Sequence, residues 1–253
     1  MCLIAFAWMP ERERCLVLAA NRDEFHERPA RPMAWWPQRP NCLAGQDLEA
    51  GGTWLAVGRK GRWAAVTNFR DPAAQPGHES RGDLPLAFVS GDMAPADYIA
   101  DVYSRRSAYG PFNVLAGDRQ SLWYAGSRAE PQSVSPGLHA LSNGLLDQSW
   151  PKSRRVTTAL GGVLASGGEI DPKRLFELMD DREAAPDPDL PDTGVGLEAE
   201  RLLSPPFIVS PRYGTRCSTV LGIGREVLAA ERRFRADGSV DGELQYRFKV
   251  RLS

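Results

Sequence analysis

A cysteine stands at position 2 and opens the apolar run Cys2-Leu3-Ile4-Ala5-Phe6-Ala7-Trp8. Removal of Met1 would place a thiol nucleophile and a free α-amine on one residue. A terminal amine titrates at roughly 7.7–8.0, close enough to neutrality to take the thiol proton. Pairing a nucleophile with the chain's own amine is an established catalytic solution. The plainer reading of Cys2 is a small buried hydrophobe in a strand. A second group of candidates is Asn21-Arg22-Asp23-Glu24, directly after the apolar run Cys15-Leu16-Val17-Leu18-Ala19-Ala20. Polar groups at the end of a buried strand are costly unless paired, so the quartet marks either a site or a salt-bridge network closing the strand. Asn68, Asn143 and Arg216 also sit at the ends of strand-like runs. Amides there can stabilise an oxyanion or hold a substrate, and the arginine can hold an anionic group. Asn143 precedes Gly144, and that dipeptide is equally a turn former.

These residues need elements to position them. Residues 2–8 and 15–22 read as two strands joined by the charged turn at 10–14. Apolar on both faces, they call for burial on both sides. Residues 28–45 hold four prolines and two tryptophans and read as an irregular surface loop. Strands follow at 53–57 and 63–67, joined by the turn Gly58-Arg59-Lys60-Gly61. Ala50-Gly51-Gly52 supplies permissive backbone for close approach of another segment or a ligand. Helical spacing covers 84–89 and 95–105, with Arg81-Gly82-Asp83 ending the loop before the first helix. Strands recur at 112–116, 121–125 and 139–143, helices at 151–164 and 171–180, and a proline- and aspartate-rich loop at 184–194. Three strands close the chain at 218–223, 227–234 and 244–250. Strands in blocks, with helices in two separate blocks, suit antiparallel sheets covered by helices. The expectation is an α+β fold, a four-layer α-β-β-α sandwich of two stacked antiparallel sheets flanked by helices. No internal repeat or clean boundary divides it, so residues 1–253 read as one domain.

Composition narrows the function classes. The chain has 31 Lys plus Arg against 32 Asp plus Glu, with no long run of one sign, which argues against a nucleic-acid or polybasic membrane surface as the main function. No apolar stretch reaches the roughly 20 residues needed to span a bilayer, and no signal peptide is visible. Cys2, Cys15, Cys42 and Cys217 are scattered, which fits free thiols in a reducing, cytoplasmic compartment. His26, His78 and His139 show no metal-ligand spacing, so no metal is expected.

Asn21-Arg22-Asp23-Glu24 spells the tetrapeptide NRDE, and the chain resembles the NRDE family, which includes the transport-and-Golgi-organisation protein 2 group. The likeness runs nearly end to end. It includes Met1-Cys2, Gly51-Gly52-Thr53-Trp54, Thr67-Asn68-Phe69-Arg70, Ser80-Arg81-Gly82, Leu141-Ser142-Asn143, Leu190-Pro191-Asp192-Thr193-Gly194 and Tyr213-Gly214-Thr215-Arg216. The resemblance implies a fold like the N-terminal-nucleophile hydrolases and links to haem handling and to lipid or acyl-CoA metabolism. A more distant resemblance is to the choloylglycine hydrolases. They too begin Met-Cys, with an Arg and an Asp three apart on the next strand and two later asparagines, which Asn68 and Asn143 look like. This chain departs at the Arg-x-x-Asp pair. Because a one-residue step turns a side chain to the other sheet face, the polar neighbours of Cys2 are Asn21 with Asp23, or Arg22 with Glu24. The final arginine of those amidases corresponds to Arg216 or to Arg154.

Two functions are carried forward. The first is an N-terminal cysteine amidohydrolase acting on a small amide or acylated metabolite, with no cofactor required. The second is a non-catalytic carrier of haem or a lipid or acyl-CoA ligand on the same scaffold. Haem favours His, Cys, Met or Tyr as axial ligand, and the sequence supplies no independent haem signal.

Overall fold

The computed structural model describes residues 2–251, with the backbone alone for Cys2. The chain opens with the hairpin β1 (Cys2–Trp8) and β2 (Leu16–Phe25). The first eight residues of β2 are all buried, as its two-sided apolar pattern requires. Then come β3 (Ala30–Trp36), β4 (Arg39–Asp47), β5 (Leu55–Gly58) and β6 (Trp63–Asn68). Helices α1 (Asp83–Ser90) and α2 (Pro95–Ser104) precede β7 (Phe112–Gly117), β8 (Leu122–Gly126), β9 (Ala129–Ser133) and β10 (Gly137–Leu141). Helices α3 (Pro151–Ala165), α4 (Pro172–Met179) and α5 (Leu197–Leu203) follow. The final strands are β11 (Tyr213–Ile223), β12 (Glu226–Phe234) and β13 (Val240–Lys249).

The strands form two antiparallel sheets. One has the order β10-β1-β2-β11-β12-β13, the other β3-β4-β5-β6-β7-β8-β9. Three apolar clusters define the layers. Ile4, Phe6, Leu18 and Leu221 of the first sheet meet Met33, Leu43, Val57 and Trp63 of the second in the central core. Outside the second sheet, Leu86 and Phe88 of α1 and Ile99 and Val102 of α2 pack on Ala44, Ala56 and Val114. Outside the first, Val156 and Leu160 of α3 and Phe176 and Met179 of α4 pack on Leu3, Ala5, Val17 and Val220. This is the expected α-β-β-α sandwich. Proline sits at the first position of α3 and of α4, where its missing N–H costs nothing, and Asp171 caps α4 by accepting from the Lys173 N–H at 2.9 Å. Among the described residues, no helix is long and apolar enough to cross a membrane. Cys15, Cys42 and Cys217 are buried.

The expected loop at 28–45 is instead the hairpin of β3 and β4. Its prolines fall where a strand tolerates them. β3 is the outer strand of its sheet, and its pairing with β4 is interrupted between Arg31 and Ala34, around Pro32. Edges and bulges do not need the amide donor that proline lacks. Three elements also differ from the expected pattern: β9, α5, and a β11 that begins at Tyr213 rather than at residue 218.

Candidate functional site

The site is built around the last turn-ward residues of β2, which lies between β1 and β11. In that ladder Asn21 faces Leu3 and Ser218, Arg22 faces Cys2 and Cys217, and Asp23 faces Thr215. Alternation along the strand divides the quartet between two faces. Asn21 and Asp23 share the face of Val17 and Ala19, under the α3–α4 layer. Arg22 and Glu24 share the face of Leu18 and Ala20, between the sheets. The register opposite Cys2 is therefore the Arg22 register. The Cys2 side chain, the proposed nucleophile, lies outside the described residues.

The helix-facing pair is buried and hydrogen-bonded to the protein. Asn21 is fully buried; its Nδ2 donates to the carbonyls of Met179 and Pro206, both at 2.9 Å, and its Oδ1 accepts from Ser218 Oγ at 2.6 Å. Asp23 accepts from Thr215 Oγ1 at 2.7 Å, and Thr215 Oγ1 itself accepts from the Ile208 N–H at 2.9 Å. Burial pushes the Asp23 carboxyl upward, opposed by the charge of buried Lys152 and by the Thr215 hydrogen bond.

The other pair opens into a cleft of about 660 Å³. Arg22 is 5% exposed. Its Nη2 donates to Asp47 Oδ2 at 2.8 Å and its guanidinium stacks 4.4 Å from the Trp54 ring centre. Its Nη1 is buried with no hydrogen-bond partner among the described residues. Asp47 also accepts from Arg28 Nε at 2.6 Å and from the Glu49 and Ala50 N–H groups. Burial pushes the Asp47 carboxyl up, but the Arg28 hydrogen bond, the Ala50 amide and the two nearby guanidinium charges outweigh it and hold it below the usual range. Glu24 lies 3.9 Å from both Arg22 and Arg28. The cleft wall continues through Gly52, Thr53 and Trp54 to Asn68, and the loop from Ala74 to Gly82 lies across from it. The Gly51-Gly52 step serves a close approach of chain to chain. Thr53 N–H donates to Gly82 O at 2.9 Å, and a β-carbon on Gly52 would lie 2.5 Å from the Gly82 carbonyl carbon.

Asn68 ends β6 at the mouth of this cleft and also lines an adjoining apolar groove of about 640 Å³ with Phe25, Leu202, Leu203, Pro211 and Tyr213. Its carboxamide hydrogen-bonds none of the described residues. Asn143 is used differently. It is 1% exposed, its Nδ2 donates to the Asn68 carbonyl at 2.8 Å, and its own carbonyl accepts the Arg70 N–H at 2.7 Å. It acts as a strut under Asn68. A fully buried asparagine, Asn113, secures the same loop: its Nδ2 donates to Thr67 Oγ1 and to Gly144 O, and Tyr124 donates to its Oδ1 at 2.8 Å. Arg216 occupies the β-bulge of β11 and donates to the carbonyls of Phe25 (2.7 Å) and Arg28 (3.0 Å), gripping the chain beyond β2. Arg154 donates to the Ser149 carbonyl at 2.8 Å, away from the cleft.

The structure thus gathers Arg22, Asp23, Glu24 and Asn68 on one cleft wall, Asp23 being the buried one of the quartet's two acids. It places Asn21, Asn143 and Arg216 in supporting contacts. Asp47, Arg28, Trp54 and Asn113 were not among the candidates. Trp54 was within reach through the Gly51-Gly52-Thr53-Trp54 motif. Asp47 and Asn113 carry no local signal, because their partners are distant in the chain.

A sequence profile of the Transport and Golgi organisation 2 family matches residues 1–235. The mouse Transport and Golgi organization 2 homolog (Mus musculus) is 32% identical over 243 residues, spanning 87% of this chain and 88% of that protein. The human homolog (Homo sapiens) gives the same identity and coverage, 32%, 87% and 88%. Among solved structures, a C2A mutant of the conjugated bile acid hydrolase from Clostridium perfringens superposes with a TM-score of 0.52 at 8% identity, covering 100% of this chain and 98% of that one. That likeness is one of fold.

Proposed function

Since the chain belongs to the Transport and Golgi organisation 2 family and has an N-terminal-nucleophile hydrolase-like fold, we propose that it is a cysteine amidohydrolase acting on a small amide or acylated metabolite. The observation that carries this reading is Asn68: a carboxamide uncommitted among the described residues, at the seam between a charged cleft and an apolar groove. A substrate with an acyl part in the groove and a polar part toward Arg22 and Arg28 places its amide at that seam.

In the proposed reaction, Met1 is removed and the Cys2 sulfur attacks the amide carbon. The thiol proton passes to the Cys2 α-amine, and the carbonyl π pair moves onto oxygen, where Asn68 Nδ2 donates to it. Asp23, one step beyond the Cys2 partner on β2, orients the amine. Collapse breaks the C–N bond, and the leaving nitrogen takes the proton from the amine. Water, deprotonated by the same amine, then hydrolyses the thioester. Arg22, part of the cleft wall, favours the polar end of the substrate by its charge.

The test is incubation with N-acyl amides of graded chain length, with mass spectrometry reading the released amine and an acyl adduct on Cys2. Turnover that disappears in Cys2→Ala supports the proposal. Equal turnover by a form that keeps Met1 overturns it. A second reading, ligand carriage without chemistry, is favoured by the apolar groove beside the cleft. For haem, the axial candidate in the cleft is His78, and in the groove Tyr213. A saturable Soret shift that His78→Ala or Tyr213→Phe removes supports carriage; a shift that never saturates argues against it.

A further inference from the structure

At the end of the sandwich away from the cleft, four cationic side chains from distant parts of the chain surround a second concavity. The β3–β4 turn, the β5–β6 turn, the end of α1 and Arg251 wall a pocket of about 590 Å³. Along β6 this pole lies roughly 17 Å from Asn68, at ~3.3 Å per strand residue. Arg39, Arg59, Lys60 and Arg251 line it, with Asp92 the only acid in its wall among the described residues. An adjoining depression of about 380 Å³ shares Lys60 and Arg251 and adds Arg62 and Arg119 against Asp118. This charge excess is local, because the chain as a whole carries −1.

The positive groups are held in place without being neutralised. The Arg59 guanidinium lies 3.8 Å from the Trp35 ring centre. Arg39 Nη1 donates to Ser90 Oγ at 3.1 Å. The Arg251 N–H donates to Arg59 O at 2.9 Å, which fixes the end of the described chain against the β5–β6 turn. An indole ring orders the Arg59 guanidinium and a hydroxyl that of Arg39, and neither spends the charge; at Arg251 it is the backbone that is fixed. Among the described residues, Arg39, Arg59, Arg119 and Arg251 have no carboxylate within 4.0 Å. Arg119 Nε is buried and has no hydrogen-bond partner among the described residues. Lys60 pairs with Asp92 at 3.0 Å, but both are exposed, and such a surface pair is weak enough to exchange for a ligand. The C-terminal carbonyls of α1 would repel an anion, yet Arg62 caps one of them, donating to Phe88 O at 3.1 Å, and also donates to Met93 O just beyond the helix at 2.7 Å.

We propose that this pole is a binding pocket for a phosphate-bearing molecule, held by Arg39, Arg59, Lys60 and Arg251. Guanidinium forks match phosphate oxygens in pairs, and several converging forks favour a group with more than one anionic oxygen. The concave shape suits a phosphate that enters the pocket, whether on a soluble metabolite or on a lipid headgroup. The proposal is independent of any chemistry at Cys2.

The test uses the full chain and inorganic pyrophosphate, titrated by calorimetry at about 0.15 M salt, where unspecific charge effects are largely screened. Saturable binding, weakened about tenfold or more in an R59Q/K60Q double variant but unchanged in Arg174→Gln on helix α4, supports the pocket. No saturable binding by the wild type overturns it, and so does an equal loss in Arg174→Gln, which would reduce the effect to general charge. Circular dichroism checks that the double variant is folded. If it is not, Arg39→Gln and Arg251→Gln take its place under the same criterion. In a second arm, phosphatidylcholine vesicles containing phosphatidic acid are sedimented with the protein. Co-sedimentation competed away by pyrophosphate assigns the phosphate to a lipid headgroup; pyrophosphate binding without co-sedimentation assigns it to a soluble molecule.

Discussion

Asn21 and Arg22 are neighbours on one strand and nearly equally buried, yet their surroundings are opposite. Asn21 has both amide donors and its oxygen occupied, by Met179, Pro206 and Ser218. Arg22 has one nitrogen on Asp47, an aromatic ring against its face, and another nitrogen with no partner among the described residues. A buried polar group left unpaired costs stability, and such groups persist where something other than folding uses them. Asn21 therefore reads as structure and Arg22, on the inter-sheet side, as site. Substitutions on the two sides should fail in different ways.

The largest effect is expected at Asn21→Ala. It strands two buried carbonyls and a hydroxyl, and at ~1–3 kcal/mol per unsatisfied group the loss of unfolding free energy should be about 3–5 kcal/mol. Urea denaturation measures it, and a loss under about 1 kcal/mol would erase the contrast drawn above. Asn68→Ala should do the reverse. Stability should change by less than about 1 kcal/mol, as for a partly exposed side chain, while turnover of an acyl amide should fall about 100-fold, as for loss of an oxyanion donor. A variant that unfolds without a kinetic defect would make Asn68 a strut like Asn143.

Glu231 sharpens the comparison on the inter-sheet side. It is 1% exposed on β12 and accepts the Met33 N–H across the sandwich at 2.9 Å. Burial raises its carboxyl from 4.5 to about 7, against the Met33 hydrogen bond and the charges of Arg233 and Arg22. Because the folded value is the higher one, its contribution is fully present below pH 4.5 and is lost as pH rises through about 7. Glu231→Gln should therefore match the wild type in stability near pH 4 and exceed it by about 2–4 kcal/mol near pH 8, at 1.36 kcal/mol per pKa unit. Equal stabilities at both pH values would show that the carboxylate is not penalised in place.

The smallest effect is expected at His139. Its Nδ1 meets Asp147 Oδ2 and its Nε2 meets the Ser135 carbonyl, both at 2.8 Å, so both ring nitrogens face acceptors, an arrangement that favours the protonated ring. Burial lowers its pKa, but the Asp147 hydrogen bond and charge, with the Ser135 carbonyl, raise it overall. The folded value is again the higher one. The stability this histidine contributes is complete below its ordinary value of 6.5 and fades as pH rises through the raised one. Asp147 has φ of +59°, an unfavourable backbone for a non-glycine residue, and it lies in the loop that carries Asn143. Thermal unfolding of His139→Gln should thus differ from wild type at pH 6 and converge with it at high pH. A constant difference would rule the histidine's charge out as the cause.

The layered sandwich was readable from the chain because hydrophobic pattern is local. Cys15 through Ala20 is apolar on both faces, and such a strand has to lie inside a covered sheet wherever the rest of the chain goes. The NRDE quartet, Asn68 and Asn143 were visible as polar residues ending such strands. The hairpin at 30–47 was misread as a loop because prolines signal a break unless the strand is known to lie at an edge, and edge position is a property of the whole sheet.

Local pattern had no means of choosing which two of the four quartet residues look into the cleft. Strand alternation ties Asn21 to Asp23 and Arg22 to Glu24, but the choice of face came from the pairing of Arg22 with Cys2 on one side and Cys217 on the other. Nor did it reveal Asp47 beside Arg22, twenty-five positions away, or the convergence of Arg39, Arg59, Lys60 and Arg251. A chain with balanced charge and no basic run looks neutral at every point along its length. Charge becomes a site only where folding brings separate turns to one pole, because Coulomb interactions depend on distance through space and not along the backbone.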